Sequence, residues 1–181
     1  MKKALVVVDM QNDFITGCLG NEECRAVVDQ VVDVINSGEY RHVFITKDTH
    51  HDNYMETQEG KKLPVEHCIV GTDGWKLDER VDEAIKKQFE AKNTTVVQKG
   101  SFGSIALGDM LREYRMRSSE DVEFYFVGVC TGICVISNVL IAKAALPESR
   151  ICVIEKACAC VTPESHKTAI EAMKTCQVDV I

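Results

Sequence analysis

The feature that most constrains this chain is the stretch Val122 to Ala145, VEFYFVGVCTGICVISNVLIAKAA, in which an apolar strand stops at a glycine-punctuated turn and restarts as a helix. Phe124, Tyr125, Phe126 and Val127 are aromatic or β-branched with no polar alternation, the pattern of a strand buried on both faces of a parallel sheet. Gly128 and Gly132 bracket the turn, and Ile133, Ile136, Leu140, Ile141 and Ala144 then recur at helical spacing. In open α/β sheets ligands bind at this end of a strand, and Cys134 falls there, just inside the new helix. The positive end of the helix dipole and its unpaired amides favour an anion, so the expectation is a lowered thiol pKa and a thiolate near neutral pH. For any one of nine cysteines the competing role is a small buried hydrophobe, so position alone does not assign Cys134.

The rest of the chain repeats the strand-then-helix order. Strands are expected at Ala4 to Val8, His42 to Thr46, Thr94 to Gln98, Val122 to Val129, Ile151 to Glu155 and Val178 to Ile181. Helices are expected at Glu22 to Ile35, Arg80 to Phe89, Ile105 to Met116, Ile133 to Ala145 and Pro163 to Thr175, the last with Thr162 as N-cap and Pro163 at its first position. This alternation predicts an α/β fold, a three-layer α/β/α arrangement around a doubly wound, mainly parallel six-stranded sheet, Rossmann-like in plan. With 181 residues, 45% hydrophobic and 27% charged, residues 1–181 are expected to form a single domain. No glycine-rich nucleotide fingerprint follows the first strand, because Asp9 to Phe14 contains no glycine. The polar stretch Lys47 to Gly74 is long for a connection in a compact domain, which marks it as functional or disordered.

A net charge of −7 argues against nucleic acid or an anionic membrane as partner. Neither a cleavable leader nor a membrane-length apolar run is evident, so a cytoplasmic location is expected. An odd number of cysteines spread over strands and helices suits reduced thiols better than a disulfide framework. Cys158 and Cys160 lack the spacing and the partner pair of a zinc site.

Three further clusters fall at expected strand ends. Asp9, Met10, Gln11, Asn12, Asp13 and Phe14 follow the first strand, and the alternative role for Asp9 is turn capping. Lys99 follows the third strand; beside a carboxylate and a thiol it would stabilise a thiolate and keep the carboxylate ionised. Asp48, Thr49 and His50 follow the second, with Glu59 and His67 further along the same loop, a set of N and O donors able to converge on a metal.

Together Asp9, Lys99 and Cys134, with the stretch Gly128-Val129-Cys130-Thr131-Gly132-Ile133-Cys134-Val135, closely resemble the isochorismatase-like cysteine hydrolases, over about residues 3 to 181. Asp48-Thr49-His50 and the segment Leu63 to Gly74 look like the metal-binding loop of the nicotinamidases (pyrazinamidases) within that superfamily. The resemblance implies an amidohydrolase that converts nicotinamide to nicotinate and ammonia through a thioester, with roles in pyridine nucleotide and NAD salvage. It implies Asp9, Lys99 and Cys134 as the catalytic residues and the backbone amides of Cys130 and Cys134 as oxyanion donors. It further implies a cis peptide at Val129-Cys130, and a divalent metal, commonly zinc, on Asp48, His50 and His67 with Glu59 as an additional candidate. Phe14, Gln11, Val129 and Phe102, with Trp75, are the expected substrate contacts. Two places depart from the nicotinamidase pattern: Gly132 and Ile133 stand where an acidic residue and an aromatic are common, and Leu63-Pro64 where an aromatic precedes the second histidine. The alternatives are a metal-free relative acting on another small amide or a vinyl ether, and a catalytically silent binding member. The expected partner is a small amide; self-association into a homo-oligomer is left open.

Overall fold

The computed structural model describes residues 1–181. Six strands form one sheet: β1 (Lys2–Val8), β2 (His42–Asp48), β3 (Thr94–Lys99), β4 (Val122–Val129), β5 (Ile151–Ala159) and β6 (Asp179–Val180). All pairs are parallel and the spatial order is β3-β2-β1-β4-β5-β6. The chain winds outward from β1 through β2 to β3, then returns to the other side of β1 with β4. That reversal leaves a crevice at the C-terminal ends of β1 and β4, where neighbouring connections leave on opposite faces of the sheet.

Alternate residues of the central strands fill two cores. Val6, Val8, Phe124 and Phe126 pack on one face with Leu107 and Leu111 of α6 (Ile105–Arg117), Val139 of α7 (Ile136–Ala145) and Ile170 of α8 (Pro163–Thr175). Leu5, Val7, Tyr125 and Val127 pack on the other face with Cys24 of α2 (Glu22–Ala26), Val31 and Ile35 of α3 (Val28–Asn36), and Val81 and Ile85 of α5 (Glu79–Gln88). A short α1 (Asn12–Ile15) follows β1. Burying a Leu- or Phe-sized side chain is worth roughly 1.5–3 kcal/mol, so the two-sided apolar pattern of β1 and β4 dictates a helix layer on each face. No helix is long and apolar enough to cross a membrane.

The structure corrects the expected boundaries in four places. The helix expected from Glu22 to Ile35 is two helices that meet at Val27. The stretch Lys47 to Gly74 is ordered rather than bare loop: a 3-10 turn at Tyr54–Glu56 leads into α4 (Gln58–Lys62), whose N-cap Thr57 accepts a hydrogen bond from the Gly60 amide. Cys134 lies in a π-helical turn, Thr131–Val135, before α7 rather than in its first α turn. Strand β5 runs on to Ala159 because a register shift against β4 between Phe126 and Gly128 carries the chain past the exposed Glu155 and Lys156, and pairs Cys158 with Gly128.

Gly128 sets the approach of β1 to β4 at the crevice. Its φ is +123°, and an added Cβ would meet the Val8 carbonyl oxygen at 2.1 Å, a rigid backbone atom. Gly128→Ala is therefore expected to combine left-handed strain with overpacking and to destabilise the fold by at least about 2 kcal/mol, read as a lowered thermal midpoint. An unchanged midpoint would show that the strands can separate there at little cost.

Candidate active site

Strand register delivers the three expected catalytic side chains to one place. Val8 pairs with both Thr46 and Gly128, and Asp48 pairs with Lys99, so the ends of four strands are level. Asp9, one residue beyond β1, turns with φ +49°, a left-handed conformation unusual for a non-glycine residue. Its amide donates to the carbonyl of Thr46, and the Thr46 hydroxyl donates to Asp9 Oδ1 at 2.5 Å. Lys99 Nζ lies 2.6 Å from Asp9 Oδ2, 3.4 Å from Asp48 Oδ1 and 3.6 Å from Cys134 Sγ. All three expected catalytic residues and Asp48 are buried. The peptide between Val129 and Cys130 is cis.

Electrostatics in this cluster reverse one expectation. Burial pushes the Cys134 thiol well above its ordinary pKa, Asp9 adds to that push, and Lys99 only partly opposes it. Desolvation of a buried thiolate thus outweighs the favourable helix terminus and the lysine. Burial also raises the Asp9 carboxyl, against the pull of Lys99 and with help from the charge of Asp48. For Lys99 burial disfavours the ammonium, yet Asp9, Cys134 and Asp48 outweigh it and keep the group protonated. The cluster thus sets a thiol of raised pKa beside a carboxyl whose affinity for protons is enhanced, the arrangement of a nucleophile beside a general base.

Asp48 belongs to a second cluster as well. Its Oδ1 faces Lys99, while its Oδ2 lies 3.1 Å from His50 Nε2 and 3.4 Å from His67 Nε2. Glu59 Oε1 lies 3.7 Å and 3.8 Å from the same two nitrogens. One donor atom from each of Asp48, His50, Glu59 and His67 falls within 4.8 Å of all the others. The Oε1 atom of Glu59 is buried without a hydrogen-bond partner, an orphaned carboxylate oxygen aimed at two imidazoles. Because a carbonyl can only accept, the 2.8 Å contact between His67 Nδ1 and Val65 O puts a proton on Nδ1 and leaves Nε2 as the ring nitrogen that faces the cluster. Two imidazole nitrogens and two carboxylates are the donor set that suits zinc and similar divalent ions, so these residues fit a metal.

Of the expected substrate contacts, Phe14 stands edge-on to His67 with ring centres 5.6 Å apart, and Val129 is buried at the end of β4. Phe102 is exposed, and its carbonyl accepts from Asn138. Gln11 differs from expectation: its amide nitrogen donates to the carbonyls of Asp48 and Trp75, and its oxygen accepts from the Asp48 amide at 2.7 Å. It therefore fastens the end of β2, with both amide protons and one oxygen lone pair engaged by the backbone. Trp75 donates to the Thr49 hydroxyl and lies beneath the Lys47 ammonium, 3.1 Å from its ring centre.

Two residues that sequence reasoning passed over, Tyr54 and Asn138, and Asp13, named there only as part of the cluster after the first strand, also shape the site. Tyr54 is fully buried, stands edge-on to His50 and His67, and donates its hydroxyl to the Leu63 carbonyl, clamping both rings. Asn138 donates to the carbonyls of Cys134 and Phe102 and accepts from the Ser104 amide, tying the Cys134 turn to the N-cap of α6. Asp13 accepts from the Cys68 amide at 2.7 Å and so anchors the segment that carries His67. Asn138 had a visible signal, a lone amide in an apolar helix, and Asp13 its place in the cluster after the first strand; Tyr54 had none, since its partners lie on other segments.

A family model described as isochorismatase domain matches residues 3–181. A nicotinamidase/pyrazinamidase of Mycobacterium tuberculosis is 29% identical, the match covering 99% of this chain and 98% of that one. The crystal structure of the nicotinamidase/pyrazinamidase PncA from Bacillus subtilis superposes with a TM-score of 0.84 at 28% identity, covering 99% of both chains. A pyrazinamidase of Pyrococcus horikoshii solved in complex with zinc shares the fold, with a TM-score of 0.80 at 22% identity over 100% of this chain and 99% of that one. With the family model matching nearly its whole length, the chain belongs to the isochorismatase family.

Proposed function

We propose that the protein is a nicotinamidase-like hydrolase that cleaves a linear amide C–N bond and converts nicotinamide to nicotinate and ammonia. The observation that carries this reading is the sharing of Asp48: one carboxylate binds both the Asp9–Lys99–Cys134 group and the His50, Glu59 and His67 donors. The names of the full-length relatives support the same reading.

In this mechanism Asp9 takes the Cys134 proton as the sulfur attacks the carboxamide carbon. The raised pKa of both groups favours transfer in step with attack over a standing thiolate. Lys99 keeps the charge of the group balanced while the proton moves. The oxyanion is received by the backbone amides of Cys130 and Cys134, donors fixed before the charge develops. Asp9 returns the proton to the departing nitrogen, ammonia leaves, and a thioester remains. Asp9, again a carboxylate, then deprotonates a water that attacks the thioester and releases the acid and the Cys134 thiol. Asp48, His50, His67 and Glu59 would hold a divalent metal, with zinc the expected ion, which when bound supplies a Lewis-acid position for the lone pair of a pyridine nitrogen. Phe14 offers an aromatic edge beside that position.

Ammonia release from a panel of small amides tests the assignment. Nicotinamide and pyrazinamide are expected to turn over, and benzamide, which lacks the ring nitrogen, to fall at least about tenfold lower in kcat/KM, the loss of a single strong contact. Turnover of an aliphatic amide with none of nicotinamide would move the protein to another small-amide hydrolase. Gly132, Ile133 and Leu63-Pro64 are the positions that would then be read as reshaping the pocket.

A further inference from the structure

Three thiols other than Cys134 converge beneath the same turn. Cys24 comes from α2, Cys130 from the end of β4, and Cys160 from just beyond β5. Cys24 Sγ lies 4.0 Å from Cys130 Sγ, and the Gly132 amide of the π-helical turn donates to Cys160 Sγ at 3.4 Å. The register shift in β5 creates this grouping, since it sets Ala159 beside Val129 and so brings Cys160 alongside Cys130. Cys24 is completely buried, while Cys130 is partly exposed. All of these cysteines are free thiols. The proposed mechanism uses the backbone amide of Cys130 but gives no role to its sulfur or to Cys24.

We propose that Cys24 and Cys130 form a reversible dithiol–disulfide pair, oxidised by a peroxide, and that closing the bond draws the Cys130 amide away from the active-site turn. The second half rests on the oxyanion role proposed above; the disulfide itself does not. A disulfide places its sulfurs about 2.05 Å apart, so the pair must close by about 2 Å, and that displacement falls on the residue that leads into the Cys134 turn. Cys130 is the less buried residue of the two, so peroxide is expected to meet the pair there. The peroxide O–O bond breaks, Cys130 becomes a sulfenic acid, and one water leaves. Cys24 then attacks that sulfur; the S–S bond forms, the S–O bond breaks, and the second water leaves. Two thiols give up two electrons and the peroxide takes them. At 4.0 Å either thiol can donate to the other, so Cys24 Sγ is already placed against the sulfur that it attacks.

Hydrogen peroxide is added to the full-length protein, free thiols are alkylated, and peptides are mapped by mass spectrometry. A dithiothreitol-reversible Cys24–Cys130 link is expected in the wild type and in Cys134→Ala, which removes the competing nucleophile. In Cys24→Ser, with Cys24→Ala as a second variant should the serine disturb the buried site, basal turnover is expected to be unchanged and the link absent. Closing the link should lower kcat at least about tenfold in the wild type, reversibly, whereas the Cys24 variants escape that fall. Cys24 and Cys130 both remaining alkylatable, or Cys130 found joined to Cys160, overturns the pair. A Cys24–Cys130 link that leaves kcat unchanged overturns its connection to catalysis and counts against the Cys130 oxyanion role, while the amide-hydrolase reading stands or falls on the substrate panel.

Discussion

Cys134→Ala abolishes amide turnover, a loss of at least about 10⁴-fold in kcat, while leaving the thermal midpoint nearly unchanged. The magnitude follows because groups that act as a unit lose almost the whole rate when the nucleophile goes. The fold is spared because a methyl replaces a buried thiol of similar size and the tie from Asn138 is to the backbone carbonyl of Cys134, which the substitution keeps. Wild-type turnover in this variant would overturn the mechanism. Asp9→Asn is expected to cost several orders of magnitude too, since the amide keeps the volume but cannot accept the thiol proton. The pH profile carries the same signature. Asp9 must be ionised to act as a base, and burial with the charge of Asp48 holds its carboxyl above the ordinary value of 3.8 against Lys99. As pH falls through that raised value the base is lost, so kcat/KM in the wild type declines on an acid limb lying above the usual carboxylate range. A profile that stays flat down into that range would remove Asp9 as the base.

Removal of the metal donors is the second large expected effect. His50→Ala combined with His67→Ala leaves two carboxylates, a donor set too weak and too poorly shaped to hold a zinc-like ion. Elemental analysis is expected to show one divalent ion per chain in the wild type and almost none in the double variant. Turnover of nicotinamide should fall by more than the roughly 10- to 100-fold that loss of a supporting contact to a metal ligand brings. Two results separate this from a folding defect. Cys134→Ala should retain its full complement of metal, and chelation of the wild type followed by added zinc should restore turnover. A metal-free wild type with undiminished activity would show that the four donors play no part in catalysis.

Much of the site was legible because strand-end positions can be read from hydrophobic runs. Val6-Val7-Val8 before Asp9, Thr94 to Val97 before Lys99, and Phe124 to Val127 before the Cys134 turn each identify a buried strand and the side chain it delivers. Where the reading fell short, the cause was a contact between distant segments. The lowered pKa expected for Cys134 rested on its local place at a helix start, whereas its environment is set by burial and by Asp9 from another strand. Gln11 was expected among the substrate contacts, whereas its amide protons go to the backbone carbonyls of Asp48 and Trp75. The segment Lys47 to Gly74 read as bare loop because its order comes from the rings of Tyr54, His50 and His67 packing together, and three rings separated along the chain carry no periodicity.

By itself the sequence determined the α/β class, the parallel sheet and the identities of the residues at the strand ends, because side-chain alternation and apolar runs are local properties of strands and helices. Only the tertiary structure decided that Asp48 serves both clusters, that burial raises the Cys134 thiol, and that Cys24 meets Cys130. Each of those depends on distances between atoms far apart in the chain, and on a desolvation that exists only once the two cores have closed around the sheet.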